Sequence, residues 1–175
     1  MGGVGAFQLD DELTHPLDFL LLQNGPIVLV GYDDSEPLLG GLAALGYDIV
    51  RFNAGSWSGS TEMRRDLAAR LNFPDYYGHN LAALRDCLSD VATGEYGWSR
   101  SATGLAVVLR SFDVFHARHP DTAEALVDAA ASNARYGMLF GHRLLWLLEV
   151  PAGYQVPPTG AFRPARASAK WVQPE

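Results

Sequence analysis

Leu144-Leu145-Trp146-Leu147-Leu148-Glu149-Val150 is the stretch on which the fold class turns. Apolar residues follow one another with almost no polar interruption. A strand of this kind is buried on both faces, as in a parallel sheet covered by helices. Three more runs, all earlier in the chain, read as strands. They are Leu105–Leu109 (LAVVL), Tyr47–Phe52 (YDIVRF) and Ile27–Val30 (IVLV), the last introduced by the turn signal Gly25-Pro26.

Helical patterns lie between these strands. Leu38–Gly46 reads as a short helix, weakened by Gly40 and Gly41 and stopped by Gly46. Met63, Leu67 and Leu71 recur every fourth residue, with Arg64, Arg65 and Arg70 outside, Ser60 as the expected cap and Pro74 as the stop. Asn80 is positioned to cap a further helix whose inward row is Leu81, Leu84, Leu88 and Val91. Thr93–Arg100 is a Gly- and Ser-containing excursion with Trp98 in it. A further helix, the third counted from the Met63–Leu71 helix, follows Pro120, with Asp121 and Glu124 at capping-box spacing. Leu126, Ala129 and Ala130 form its inner face, and Gly137 fits its end. Strands alternating with helices specify an α/β fold with a small, mainly parallel sheet flanked by helices. Residues 1–12 read as loose, and no internal repeat is present.

At 175 residues the chain is the size of one domain, and 48% hydrophobic with 19% charged residues is globular composition. One cysteine excludes an internal disulfide and the Cys₂His₂ and Cys₄ zinc sites. No secretory pattern opens the sequence, and no apolar run reaches the ~18 residues of a membrane helix. A cytoplasmic protein, monomeric when free and without a membrane partner, is therefore expected. Thirteen basic against twenty acidic residues give a net charge of −7, and Lys170 is the single lysine. That balance weighs against nucleic-acid binding, which rewards cations, and leaves a basic protein as the natural partner.

Enzymatic signatures are lacking. Gly2, Gly3 and Gly5 precede any strand, and neither a phosphate-binding GxxxxGK[ST] loop nor a GxSxG elbow occurs. His116 and His119 are spaced like metal ligands but have no acidic companion in a helical pattern. Cys87 falls beside the apolar row of its helix and reads as a small buried hydrophobe. No cofactor, metal or catalytic set is expected.

The segment richest in chemistry is Asn72–Asp90, NFPDYYGHNLAALRDCLSD. Asp86 and Asp90 are i,i+4 neighbours on a helix face away from the leucines, with Ala82 and Arg85 beside them. Tyr76 and Tyr77 sit on the loop that enters the helix. Two aromatics and two carboxylates sharing one exposed edge is one arrangement. A solvated acidic face with one core and one surface tyrosine is the other, and spacing alone does not choose between them. Nothing in the sequence brings the carboxylates close enough for acid–base chemistry.

Pro74, Tyr76-Tyr77-Gly78, Asn80-Leu81, Ala83-Leu84 and Asp86-Cys87-Leu88 stand at offsets that resemble the barstar family, intracellular protein inhibitors of secreted microbial ribonucleases. The resemblance runs from about Tyr47 to Val150. It implies a barstar-like domain over residues 47–150, with residues 1–46 as an added N-terminal strand-helix extension packed on it and 151–175 as a Pro/Ala-rich tail. It also implies an inhibitor rather than an enzyme, in a one-to-one complex with a basic secreted ribonuclease. In that picture Asp86 stands in for a substrate phosphate and Tyr76 packs at the rim. Tyr77, Gly78, Asn80, Ala82 and Arg85 shape the contact, Asp90 adds negative potential, and Asp128 is the nearest match to an acidic residue supplied by the third helix. Three positions depart from the pattern: Ala82 where the family has an acidic residue, Arg85 where it has tryptophan, and His79 where it has glutamate. Arg85 is expected to pair with Asp86 or Glu95, or to meet an acidic group on a different nuclease. The alternative is an immunity protein of the same fold directed at a toxin that is not a ribonuclease.

Overall fold

The computed structural model describes residues 16–23, 25–156 and 163–172. The expectation that residues 1–12 are loose, with its three glycines, lies outside the described residues. In chain order the elements are α1 (Pro16–Gln23), β1 (Ile27–Val30), α2 (Tyr32–Ala44), β2 (Tyr47–Asn53), α3 (Ser60–Arg70), α4 (Leu81–Ala92), β3 (Gly104–Arg110), α5 (Phe112–Arg118), α6 (Pro120–Met138), β4 (Leu144–Glu149) and β5 (Ala165–Arg166). Short 3₁₀ turns occupy Ala54–Ser56 and Ala169–Val172.

The strands form one sheet in the order β2-β3-β4-β1-β5, and every pairing is parallel. Tyr47 opposes Gly104, Leu105 opposes Leu144, and Ile27 opposes Trp146. β4 is central and buried throughout, as its unbroken apolar run requires. Side chains alternate across the sheet with a period of two. Leu144, Trp146 and Leu148 share a core with residues of α3, α4, α5 and α6, including Met63, Leu88, Phe115 and Leu126. Leu145 and Leu147 point the other way, against Leu17 of α1 and Leu38 and Leu42 of α2. Among the described residues no helix is long and apolar enough to cross a membrane.

β2 lies at one edge of the sheet. Its ladder is obstructed by charged side chains: Arg70 Nη1 donates to the Arg51 carbonyl at 2.9 Å, and Asp48 accepts from the Ser99 amide at 2.6 Å. Such groups discourage another chain from adding to an edge.

Several local expectations change. α2 begins at Tyr32 rather than Leu38, running through Asp33-Asp34-Ser35-Glu36 with Pro37 inside the helix. Gly46, at φ 86°, takes the left-handed conformation that ends the helix. The capping box at Asp121–Glu124 does not form. His119 precedes α6 without a side-chain cap, Pro120 takes the first turn, and Glu124 instead lies 3.5 Å from His116 Nε2. Ser60 is not a cap either: its Oγ accepts from Arg64, while Glu62 accepts from the Ser58 amide and hydroxyl at 2.8 Å each. α6 continues past Gly137 to Met138. A Cβ at Gly137 would stand 2.8 Å from the Ala92 carbonyl, so this glycine allows α6 to close against the end of α4.

Candidate functional site

The loop before α4 is folded by local rules. Leu71 closes α3, and Pro74 starts a tight turn in which its carbonyl accepts from the Tyr77 amide at 2.9 Å. The turn separates the two tyrosines. Tyr76 is 82% exposed, whereas Tyr77 is 5% exposed and packs edge-on against Phe73 with centroids 5.1 Å apart. Burial pushes the Tyr77 hydroxyl pKa up, and the hydroxyl has no hydrogen-bond partner among the described residues. His79 follows at φ 50°, a left-handed position that costs a non-glycine residue about 1–2 kcal/mol. Its ring lies 4.6 Å from that of Tyr77. Asn80 then caps the helix, its Oδ1 accepting from the Ala83 amide at 2.9 Å.

α4 buries Leu84, Cys87, Leu88 and Val91. Leu81 was expected in that row but is 42% exposed. It is the first helical residue and lies beyond the layer that covers the later turns, so Cys87 completes the buried set instead. Burial holds the Cys87 thiol above its ordinary pKa, which fits a packing role.

The outer side of α4 carries Ala82, Arg85 and Asp86, all exposed. Among the described residues Asp86 has neither a hydrogen-bond nor an ion-pair partner. Arg85 does not turn to Asp86 or Glu95. Its Nη2 lies 2.6 Å from Asp128 Oδ2 on α6, each side chain a little over 40% exposed. Asn133, one turn further along α6, donates to the Ala129 carbonyl at 2.9 Å and reaches the Arg85 carbonyl at 3.4 Å. Tyr76, Gly78 and Asn80 on the entry loop and Ala82, Arg85 and Asp86 on α4 are thus exposed, and Asp128 joins them through Arg85. The fold withdraws Tyr77 into the core.

Asp90 is also set apart. It is half-buried, and Tyr96 Oη stands 3.1 Å from its Oδ2 and 3.3 Å from the Cys87 carbonyl. Burial, reinforced by Cys87 and Asp90, keeps the Tyr96 phenol protonated far above its usual range. Trp98 donates its indole N–H to the Val91 carbonyl at 2.8 Å, filling one of the acceptors left open at the helix end. These aromatics fasten the Thr93–Arg100 excursion to α4. Their alternation with glycine in Gly94-Glu95-Tyr96-Gly97-Trp98 was the available signal, although sequence reasoning singled out only Trp98. Among the described residues no group of three or more His, Cys, Asp or Glu side chains is placed to hold a metal ion.

The sequence model of the family described as Barstar (barnase inhibitor) matches residues 47–145. That span is more than half of the chain and contains the entry loop, α4 and α6. The chain belongs to the barstar family. No curated protein matches it.

Proposed function

We propose that this chain inhibits a barnase-type ribonuclease by one-to-one occlusion of the active site, with Asp86 taking the place of a substrate phosphate. The observation that carries this reading is Asp86 itself. It is an exposed carboxylate without a hydrogen-bond or ion-pair partner among the described residues, held on a capped helix that follows the loop carrying the 82% exposed Tyr76. A ribonuclease cleft is cationic because it binds phosphate. A fixed carboxylate satisfies those cations and offers no bond to cleave. Placement on a helix packed at Leu84, Leu88 and Val91 lowers the ordering cost of association. Tyr76, Gly78, Asn80 and Ala82 form the surrounding contact. Asp90, committed to Tyr96, contributes potential rather than direct contact. The protein acts as a binding partner rather than a catalyst, and protects the cytoplasm that produces the nuclease.

The test is titration of the pure protein into secreted guanyl-specific ribonucleases, with residual RNA cleavage as the readout. Activity should fall to zero at one equivalent, and the protein alone should cleave nothing. Undiminished activity across several such nucleases would favour the other reading, an immunity protein against a toxin of different chemistry. The ion pair between Arg85 and Asp128 is the feature that speaks for that second reading, because it removes one carboxylate from the negative face.

A further inference from the structure

The charges of α4 and the facing part of α6 do not make a uniformly acidic surface. α4 carries three charged residues, Arg85, Asp86 and Asp90. Asp90 is tied to Tyr96 and Asp128 to Arg85, which leaves Asp86 without a hydrogen-bond or ion-pair partner among the described residues. Directly beside it in sequence is a guanidinium that uses one nitrogen for Asp128. Arginine has five N–H donors, and those not met by Asp128 are satisfied by water while the surface is free. A partner that covers α4 removes that water. Unless it supplies acceptors, it leaves buried donors unpaired and sets its own cations against Arg85.

We propose that Arg85 selects which nuclease this inhibitor accepts: the partner that fits presents an acidic side chain against Arg85, next to the cationic pocket that receives Asp86. This rests on the reading of the α4 face as the occluding surface. Arg85 acts in two ways at once. It rewards a partner carboxylate with charge-assisted hydrogen bonds, and it penalises a rim that is cationic throughout. Asp128 serves this selection by holding the guanidinium in place across α4 and α6 and by keeping its own charge unavailable to generic cations. The pair is half-exposed and weak in the free protein, so it yields readily to rearrangement on binding.

The experiment uses the full chain as wild type, Arg85→Ala, Arg85→Glu and Asp128→Ala, with Arg65→Ala on α3 as a control for net charge. Each is titrated against a panel of purified secreted microbial ribonucleases whose active-site rims either carry or lack an acidic side chain. Dissociation constants are read at matched thermal stability. On rims lacking the acidic group, Arg85→Ala should bind at least tenfold tighter than wild type, Arg85→Glu tighter still, and Asp128→Ala weaker. On rims that carry it, both Arg85 variants should bind at least tenfold weaker. A wild type that is inert while the Arg85 variants inhibit also supports the proposal. Values within threefold of wild type on every inhibited nuclease overturn the selection and leave the occlusion reading intact. So does uniform weakening across the panel, or reproduction of the change by Arg65→Ala. Failure of every form to inhibit any nuclease overturns the occlusion reading and the selection together.

Discussion

Arg85 Nη2 and Asp128 Oδ2 lie 2.6 Å apart, joining two helices across 43 residues of sequence. Both side chains are more than 40% exposed, so the pair contributes little to folding. Ion pairs of this exposure are worth about 0–1 kcal/mol. Asp128→Ala and Arg85→Ala should each shift the unfolding free energy by about 1 kcal/mol or less, as read by denaturant titration. A loss near 3 kcal/mol from either would mean that the pair is a folding determinant rather than a surface element.

Asp86 and Asp90 should separate cleanly. Asp86→Ala removes a carboxylate with no hydrogen-bond or ion-pair partner among the described residues, and alanine suits a helix, so stability should hardly change. Affinity for an inhibited nuclease should fall by roughly 2–5 kcal/mol, because the nuclease cations stay buried without a partner. That range is the general cost of truncating one partner of a buried, hydrogen-bonded charge pair. Asp90→Ala removes one of the two acceptors of Tyr96 and should instead cost about 0.5–1.5 kcal/mol of stability. Its binding effect should be small. Paired melting and dissociation-rate measurements on the two variants check this crossing pattern.

Asn80 caps α4 through a single side-chain bond to the Ala83 amide. Asn80→Ala should cost about 1 kcal/mol, and Asn80→Gly only a few tenths, since glycine tolerates the cap conformation. Equal losses for the two would indicate that Asn80 matters for something other than the cap.

Gly137 is a less obvious hinge of the packing. Alanine favours a helix, yet its Cβ would approach the Ala92 carbonyl to 2.8 Å and Leu144 Cδ1 to 3.0 Å. Overpacking costs roughly 1–3 kcal/mol, more than the propensity gained. Gly137→Ala should therefore lower the melting temperature. A rise would show that α4 and α6 separate without strain.

His142 gives the protein a pH response. Burial, assisted by Arg100, holds its imidazole below the usual value of about 6.5, with the Trp98 ring 5.5 Å away. The folded state thus binds this proton less readily than the unfolded chain. The stability it permits is complete above pH 6.5 and declines as pH falls from there through the lowered native value. The ring-proton titration of His142 should have its midpoint below 6.5, and His142→Gln should flatten that part of the stability profile. A midpoint at or above 6.5 would contradict the sign.

The parallel sheet was legible because β1, β3 and β4 carry unbroken apolar runs, whereas the edge strand β2 mixes in Asp48 and Arg51. α4 was legible through Asn80 and the leucine spacing. α1 left no signal, because PLDFLLLQ is apolar without a clear polar face. α5 is only seven residues long, and Ser111 before it is left-handed at φ 52°, so no cap announces it. β5 has two residues and exists only because β1 offers an edge. At the site, the identities of Tyr76, Asp86 and Asp128 could be read from the resemblance, but their connections could not. Periodicity says which residues share a helix face. It does not say that Arg85 reaches a residue on another helix, or that the turn at Pro74 sends one tyrosine out and the next one in.

β1 sits inside the sheet, between β4 and β5, although it is the first strand in the chain. Ile27 pairs with Trp146 and Val28 with Ala165, so its partners on both sides are made more than a hundred residues later. During synthesis β2 and β3 can associate once residue 110 has emerged, while IVLV waits with both ladders open. Contacts of such long sequence separation are slow to form, since loop closure must precede any gain from pairing. Placement of β1 therefore waits for strands made long after it, and the sheet can close around β1 only once β4 and β5 are both available.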